Sequence, residues 1–157
     1  MTGRRRRFRA TWRFAVLGTW TSQYAAADET AKQVLVFGGS GGLGSEVVRA
    51  AITAGHSVAV FVRPTSDRRR LAGLPVTWIE GDVLVEADVQ RALQSQRFDV
   101  VVDALGRSEA GVEFFAISGR LISKWAKATG VGQLLLHSSV GVGVSRKVYP
   151  QNRFDSM

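Results

Sequence analysis

Hydrophobic positions in this chain fall into short solid runs, separated by stretches where they recur at helical spacing. The runs Val34–Phe37, Ser57–Val62, Val76–Glu80, Phe98–Leu105 and Gly132–Ser139 each predict a strand. Between them, Leu43–Ala54, Glu86–Gln94 and Val112–Thr129 carry the helical period, and a short helix is expected across Ser66–Ala72, before Pro75. The first helix is expected to bury Leu43, Val47, Ala50 and Ala51, with Glu46 and Arg49 outward. The next should turn Val89 and Leu93 inward, and the last Phe115, Leu121, Ile122 and Trp125. Pro64 cannot donate to a ladder, so the second strand should stop at Arg63. Gly130 stands where a helix end takes a left-handed residue.

Strands that are apolar throughout, alternating with helices, imply a parallel sheet covered on both faces. Right-handed crossovers then give a doubly wound α/β fold, most simply with five strands in order 3-2-1-4-5. After Ser145 the chain turns polar with no sixth apolar run. The expectation is a domain of residues 28–157, truncated after its fifth strand or minimal by design.

The net charge of +8 suggests nucleic acid until it is located. Residues 1–27 hold Arg4, Arg5, Arg6, Arg7, Arg9 and Arg13 and no acid, which leaves the remainder close to neutral. The basicity belongs to a leader, and a specific nucleic-acid face on the folded part has little support. The absence of cysteine excludes disulfides and thiolate chemistry, and His56 and His137 alone do not suggest a metal centre. No run is long enough to span a membrane as a helix. Composition is silent on oligomeric state.

The leader has three zones: an arginine block, an apolar stretch from Phe14 to Trp20, and small residues ending at Ala27. That order fits an export signal cleaved after Ala27, which would place the protein in a periplasm or outside the cell. Its "RRRFR" partly matches a twin-arginine signal, with Arg9 where an apolar residue is preferred. A transit peptide or a basic tail on a cytoplasmic protein are the other readings.

Chemistry is concentrated where the first strand meets the first helix. "FGGSGGLGS" places Gly38, Gly39, Gly41, Gly42 and Gly44 around Ser40 and Leu43. Such a turn aims free backbone N–H groups and the positive end of the helix dipole at one spot, which suits a pyrophosphate. Gly38 permits the turn, Gly41 and Gly42 keep side chains away from the phosphate, and Gly44 lets helix and strand approach. The spacing is Gly38-x-x-Gly41-x-x-Gly44.

With that spacing the chain resembles the short-chain dehydrogenase/reductase superfamily. It is most similar to the extended and atypical members, the NmrA-like or NAD(P)H-binding group, whose turn reads G-[AG]-[ST]-G-x-x-G. The resemblance runs from about Lys32 to Gly143 and implies a Rossmann domain that binds a nicotinamide dinucleotide. Arg63 stands where an NAD site would place an acid, so the resemblance implies NADP, with NAD less expected. Asp82 and Val83 match the pair that contacts adenine, although Asp82 also suits a turn cap. Ala104, Leu105 and Gly106 match the turn beside the adenine ribose. Ser138 and Ser139 match the fifth-strand exit near the nicotinamide.

The family's catalytic Tyr-x-x-x-Lys is missing. Tyr149 is followed four residues later by Arg153, Tyr24 lies in the leader, and Ala116 stands near the expected helical asparagine. Ser138 and Ser139 are the candidate catalytic residues, and each also suits a hydroxyl bonded to backbone. His137, in an apolar strand, reads as a core histidine, and His56 as structural. The resemblance implies an NADPH-dependent oxidoreductase acting on a small carbonyl or conjugated substrate. The alternative is a non-enzymatic NADPH sensor.

Overall fold

A computed structural model describes residues 30–106 and 111–137. Its five strands are β1 (Gln33–Phe37), β2 (Ser57–Val62), β3 (Val76–Glu80), β4 (Val100–Asp103) and β5 (Gln133–Leu136). Three helices connect them: α1 (Gly42–Thr53), α2 (Glu86–Gln94) and α3 (Val112–Ala128). The sheet is wholly parallel in order β3-β2-β1-β4-β5, as the pattern of runs implies. β1 lies at the centre, with Leu35 opposite Ala59 on one side and Val101 on the other.

Period-two alternation divides the core between the two faces of the sheet. Leu35, Phe37, Ala59, Phe61 and Val101 pack against α2 and α3 through Val89, Leu93, Leu121 and Ile122. Val34, Val36, Val58, Val60 and Val62 pack against Val48 of α1 and against Leu71. Fully burying an aliphatic or aromatic side chain contributes about 1.5–3 kcal/mol, so these paired layers hold the sheet between its helices.

Three expected details differ. Leu43 is half exposed and Ala50 is exposed, and α1 buries Gly44, Ser45 and Val48 instead. Close contact between Gly44 and the preceding turn rolls the helix, and the Ser45 hydroxyl is satisfied by donating to the Gly42 carbonyl at 2.9 Å. Phe115 is also largely exposed, because its neighbour Phe114 takes the inward place and meets it edge-on. The expected helix across Ser66–Ala72 shrinks to one 3-10 turn, Arg69–Leu71. Leu71 is the only fully buried anchor there, and the Asp67 carboxylate accepts the Arg69 N–H at 3.0 Å, a local bond that competes with a helix. The expectations for residues 1–27, Ser138, Ser139, Tyr149 and Arg153 fall outside the described residues.

Candidate functional site

All five strands of a parallel sheet point the same way, so their exits line one edge, and a cleft of about 400 Å³ opens there. Its floor is the β1–α1 turn. Gly38 has φ of +76°, and its carbonyl accepts the Gly41 N–H at 3.0 Å, folding the chain back into α1. A side chain at Gly38 would meet the Ala104 carbonyl oxygen at 2.7 Å, and one at Gly44 would meet the Gly38 oxygen at 2.2 Å. The turn is thus wedged against both its own helix and the exit of β4.

No side chain caps the start of α1, and its first turn carries no acid. The first N–H groups of a helix lack partners within it, so this end offers donors and a positive dipole without competition from the protein. Nothing lies within 4 Å of where a Cβ would stand on Gly42, which leaves open space beside those donors. Gly38, Ser40, Gly41, Gly42 and Leu43 line the cleft from β1 and α1, Arg63 from β2, and Asp82 and Val83 from β3. Ala104, Leu105 and Gly106 line it from β4. Of the twelve residues expected around a dinucleotide, only Gly44 is not on this wall, and it sits directly beneath. The size of the cleft, the uncapped helix and the open space at Gly42 fit a dinucleotide bound by its diphosphate.

Comparison with known proteins identifies the family. Residues 38–156 match the model of the NAD(P)H-binding family. The chain belongs to this family. It is 29% identical over 126 residues to a UDP-glucose 4-epimerase of Klebsiella pneumoniae, an alignment covering 70% of this chain and 91% of that protein. Among solved structures it resembles the anaerobilin reductase ChuY of Escherichia coli O157:H7, with a TM-score of 0.66 and 21% identity over 79% of this chain and 59% of that one. The Bordetella bronchiseptica enzyme WbmG in complex with NAD gives a TM-score of 0.60 and 24% identity over 71% of this chain. This chain spans 38% of WbmG, so it matches only part of such relatives. The resemblance to atypical and extended short-chain dehydrogenases/reductases therefore holds, at the level of an NAD(P)H-binding domain. No helix among the described residues is long and apolar enough to cross a membrane.

Within this NAD(P)H-binding domain the charges divide into committed and uncommitted groups. Arg63 is exposed on the cleft wall and makes no ion pair among the described residues. Two of the neighbouring arginines are engaged elsewhere. Arg69 chelates Asp67 through bonds of 2.7 to 3.0 Å, and that guanidinium holds the Asp67 carboxyl down at about 2. Arg68 pairs with Glu80 and lies 4.9 Å over the Trp78 ring. Arg70 is exposed, and its carbonyl, not its guanidinium, is engaged, accepting from Arg49.

Asp82 does serve as a turn cap: its carboxylate accepts the Leu84 N–H at 2.9 Å. Its own N–H donates to Asp88, whose carboxyl is lowered chiefly by that bond and also by Arg91. At the far end, burial raises the Asp103 carboxyl, opposed by the Leu105 N–H it accepts and by His137.

Several lining residues were not anticipated. Thr65, Ser66 and Asp67 reach the cleft from the loop after Arg63, and Phe61, Val62, Leu84 and Phe114 complete its walls. The hydroxyl pair directly follows Arg63-Pro64, a signal that could have been read. His137 corrects its own expectation: it is exposed and lines the cleft at the exit of β5, not buried in a core. The reason lies in its strand, because β5 is the outermost of the described strands and leaves Leu135 and Leu136 about half exposed. His56 fits its structural reading, its Nδ1 accepting the Lys32 N–H at 3.4 Å.

Proposed function

We propose that this domain binds NADP(H) and belongs to an oxidoreductase of the atypical short-chain type, acting on a small carbonyl or conjugated substrate. The observation that carries the reading is one cleft joining an uncapped helix start to an arginine that makes no ion pair among the described residues. The N–H groups at the start of α1 would hold the diphosphate. Arg63, with the Thr65 and Ser66 hydroxyls beside it, would hold the 2′-phosphate. Asp82 retains acceptor capacity for the adenine amino group, since the Leu84 N–H occupies one of its oxygens. When bound, the cofactor supplies the hydride chemistry. The residues of this chain bind it, orient it and keep water from its reacting end.

Calorimetric titration of the purified protein with NADPH, NADP⁺ and NADH tests the reading. Saturable binding with preference for the phosphorylated forms is expected. Arg63→Ala should weaken NADPH by about tenfold to a hundredfold and leave NADH within about twofold, because a charge-assisted contact contributes about 1.5–3 kcal/mol. Absence of saturable binding by any of the three would reject it.

A non-enzymatic NADPH sensor is the second reading. It accords with Arg153, not lysine, standing four residues after Tyr149. Tight binding without turnover across a panel of aldehydes, ketones and quinones would select it. The named relatives include an epimerase and a reductase, so similarity does not choose the substrate.

A further inference from the structure

His137 lines the cleft from the exit of β5, on the far side of β1 from Arg63. Three strand spacings, about 14 Å, separate the strand of Arg63 from that of His137. With the adenosine half of a dinucleotide anchored at Arg63 and its diphosphate on α1, the other half extends toward β4 and β5. We infer that His137 makes the choice between oxidised and reduced cofactor depend on pH, by placing a titratable positive charge beside the nicotinamide. This rests on the NAD(P)H reading above and adds a role to a residue which that reading leaves unused.

The oxidised nicotinamide ring carries a positive charge that the reduced ring lacks. A protonated imidazole in the same cleft therefore repels the first and spares the second. Histidine is the side chain whose charge ordinarily changes between pH 5 and 8. Among the described residues, the wall near His137 is Leu105 and Gly106 from β4 and Phe114 from α3, all uncharged. The titratable neighbour among them is Asp103, whose carbonyl accepts the His137 N–H at 2.9 Å and whose carboxyl interacts with the His137 charge. By linkage, the ratio of the dissociation constant of the oxidised form to that of the reduced form falls as pH rises and the imidazolium is lost. Titration of the 2′-phosphate and contacts with Arg63 are common to both forms and cancel in this ratio.

The experiment measures that ratio for NADP⁺ and NADPH from pH 5 to pH 8 on the full chain. A fall of about fivefold is expected for the wild type, as two unit charges roughly 7 Å apart across a partly solvated cleft would give. The ratio should be flat in His137→Gln, which keeps a polar group of similar reach without the titration, and should still fall in Asp103→Asn. Imidazole proton resonances supply a readout that needs no variant. The His137 midpoint should lie lower in the NADP⁺ complex than in the NADPH complex. His56, in the turn that starts β2 at the opposite edge of the sheet, should show one midpoint in both. Binding of both forms with a pH-independent ratio, a ratio that still falls in His137→Gln, or equal His137 midpoints would overturn the inference while leaving the NAD(P)H reading intact. Failure of both forms to bind would overturn the reading itself, and the inference with it.

Discussion

A methyl group on residue 44 has nowhere to go, since it would stand 2.2 Å from the Gly38 carbonyl oxygen and 2.8 Å from the Gly39 Cα. These are backbone atoms, so no rotamer relieves the contact, and α1 would have to lift from the turn it starts in. Gly44→Ala is expected to destabilise the protein by about 3 kcal/mol, read as a lower urea midpoint, and to remove NADPH binding. Gly42→Ala meets no protein atom, and so should change stability by less than about 0.5 kcal/mol, read as a nearly unchanged urea midpoint, while weakening cofactor binding. The contrast separates the glycine that packs the turn from the one that leaves room for a ligand. Both were legible in the sequence as members of one motif. Their division of labour was legible too, since the motif sets Gly42 on the side left open and Gly44 where helix and strand approach. His137 was misread, because an apolar run marks a strand, but not whether a helix covers its last residue.

At the level of elements, α2 and α3 are tied by one carboxylate. Glu86 accepts from the Lys124 ammonium and from the Trp125 indole N–H at 3.2 Å. Its carboxyl is held below the ordinary range chiefly by the Lys124 bond, with smaller contributions from the Lys124 charge and Trp125. A lowered folded-state value means that the stabilisation is present above the unfolded carboxylate range and is lost as acid protonates the folded group. Glu86→Gln should therefore lower the urea midpoint slightly at pH 7 and not at pH 3. Because the pair is exposed, salt should shrink the effect.

The strands and their order were plain in the chain, since solid apolar runs between helices admit few other arrangements. The facing of α1 and the extent of the Ser66–Ala72 segment were not. Both depend on contacts outside their own residues: a turn pressed against Gly44 in one case, and Asp67, Glu80 and Trp78 drawing the arginines apart in the other.

At the level of the whole molecule, the cleft joins the exits of all five strands, so a ligand in it should resist unfolding of the domain as a unit. NADPH at 100 times its dissociation constant should stabilise the protein by about 2.7 kcal/mol, and raise the thermal midpoint by about 10 °C for a domain of this size. A thermal scan across NADPH concentrations checks this, and a midpoint independent of concentration would count against binding.

The placement of β1 at the centre of the sheet also bears on how the chain assembles. Its partners are unequally distant along the sequence: Leu35 pairs with Ala59, 24 residues on, and with Val101, 66 residues on. Closing the longer loop costs more chain entropy before any contact repays it. During refolding, amides of Val36 and Val60 should gain protection from hydrogen exchange before those of Val102 and Leu135, as pulsed labelling would show. The half of the cleft that carries Arg63 would then exist before the half that carries His137. A nascent chain would acquire its grip on a nucleotide's phosphates earlier than its grip on the redox-active ring.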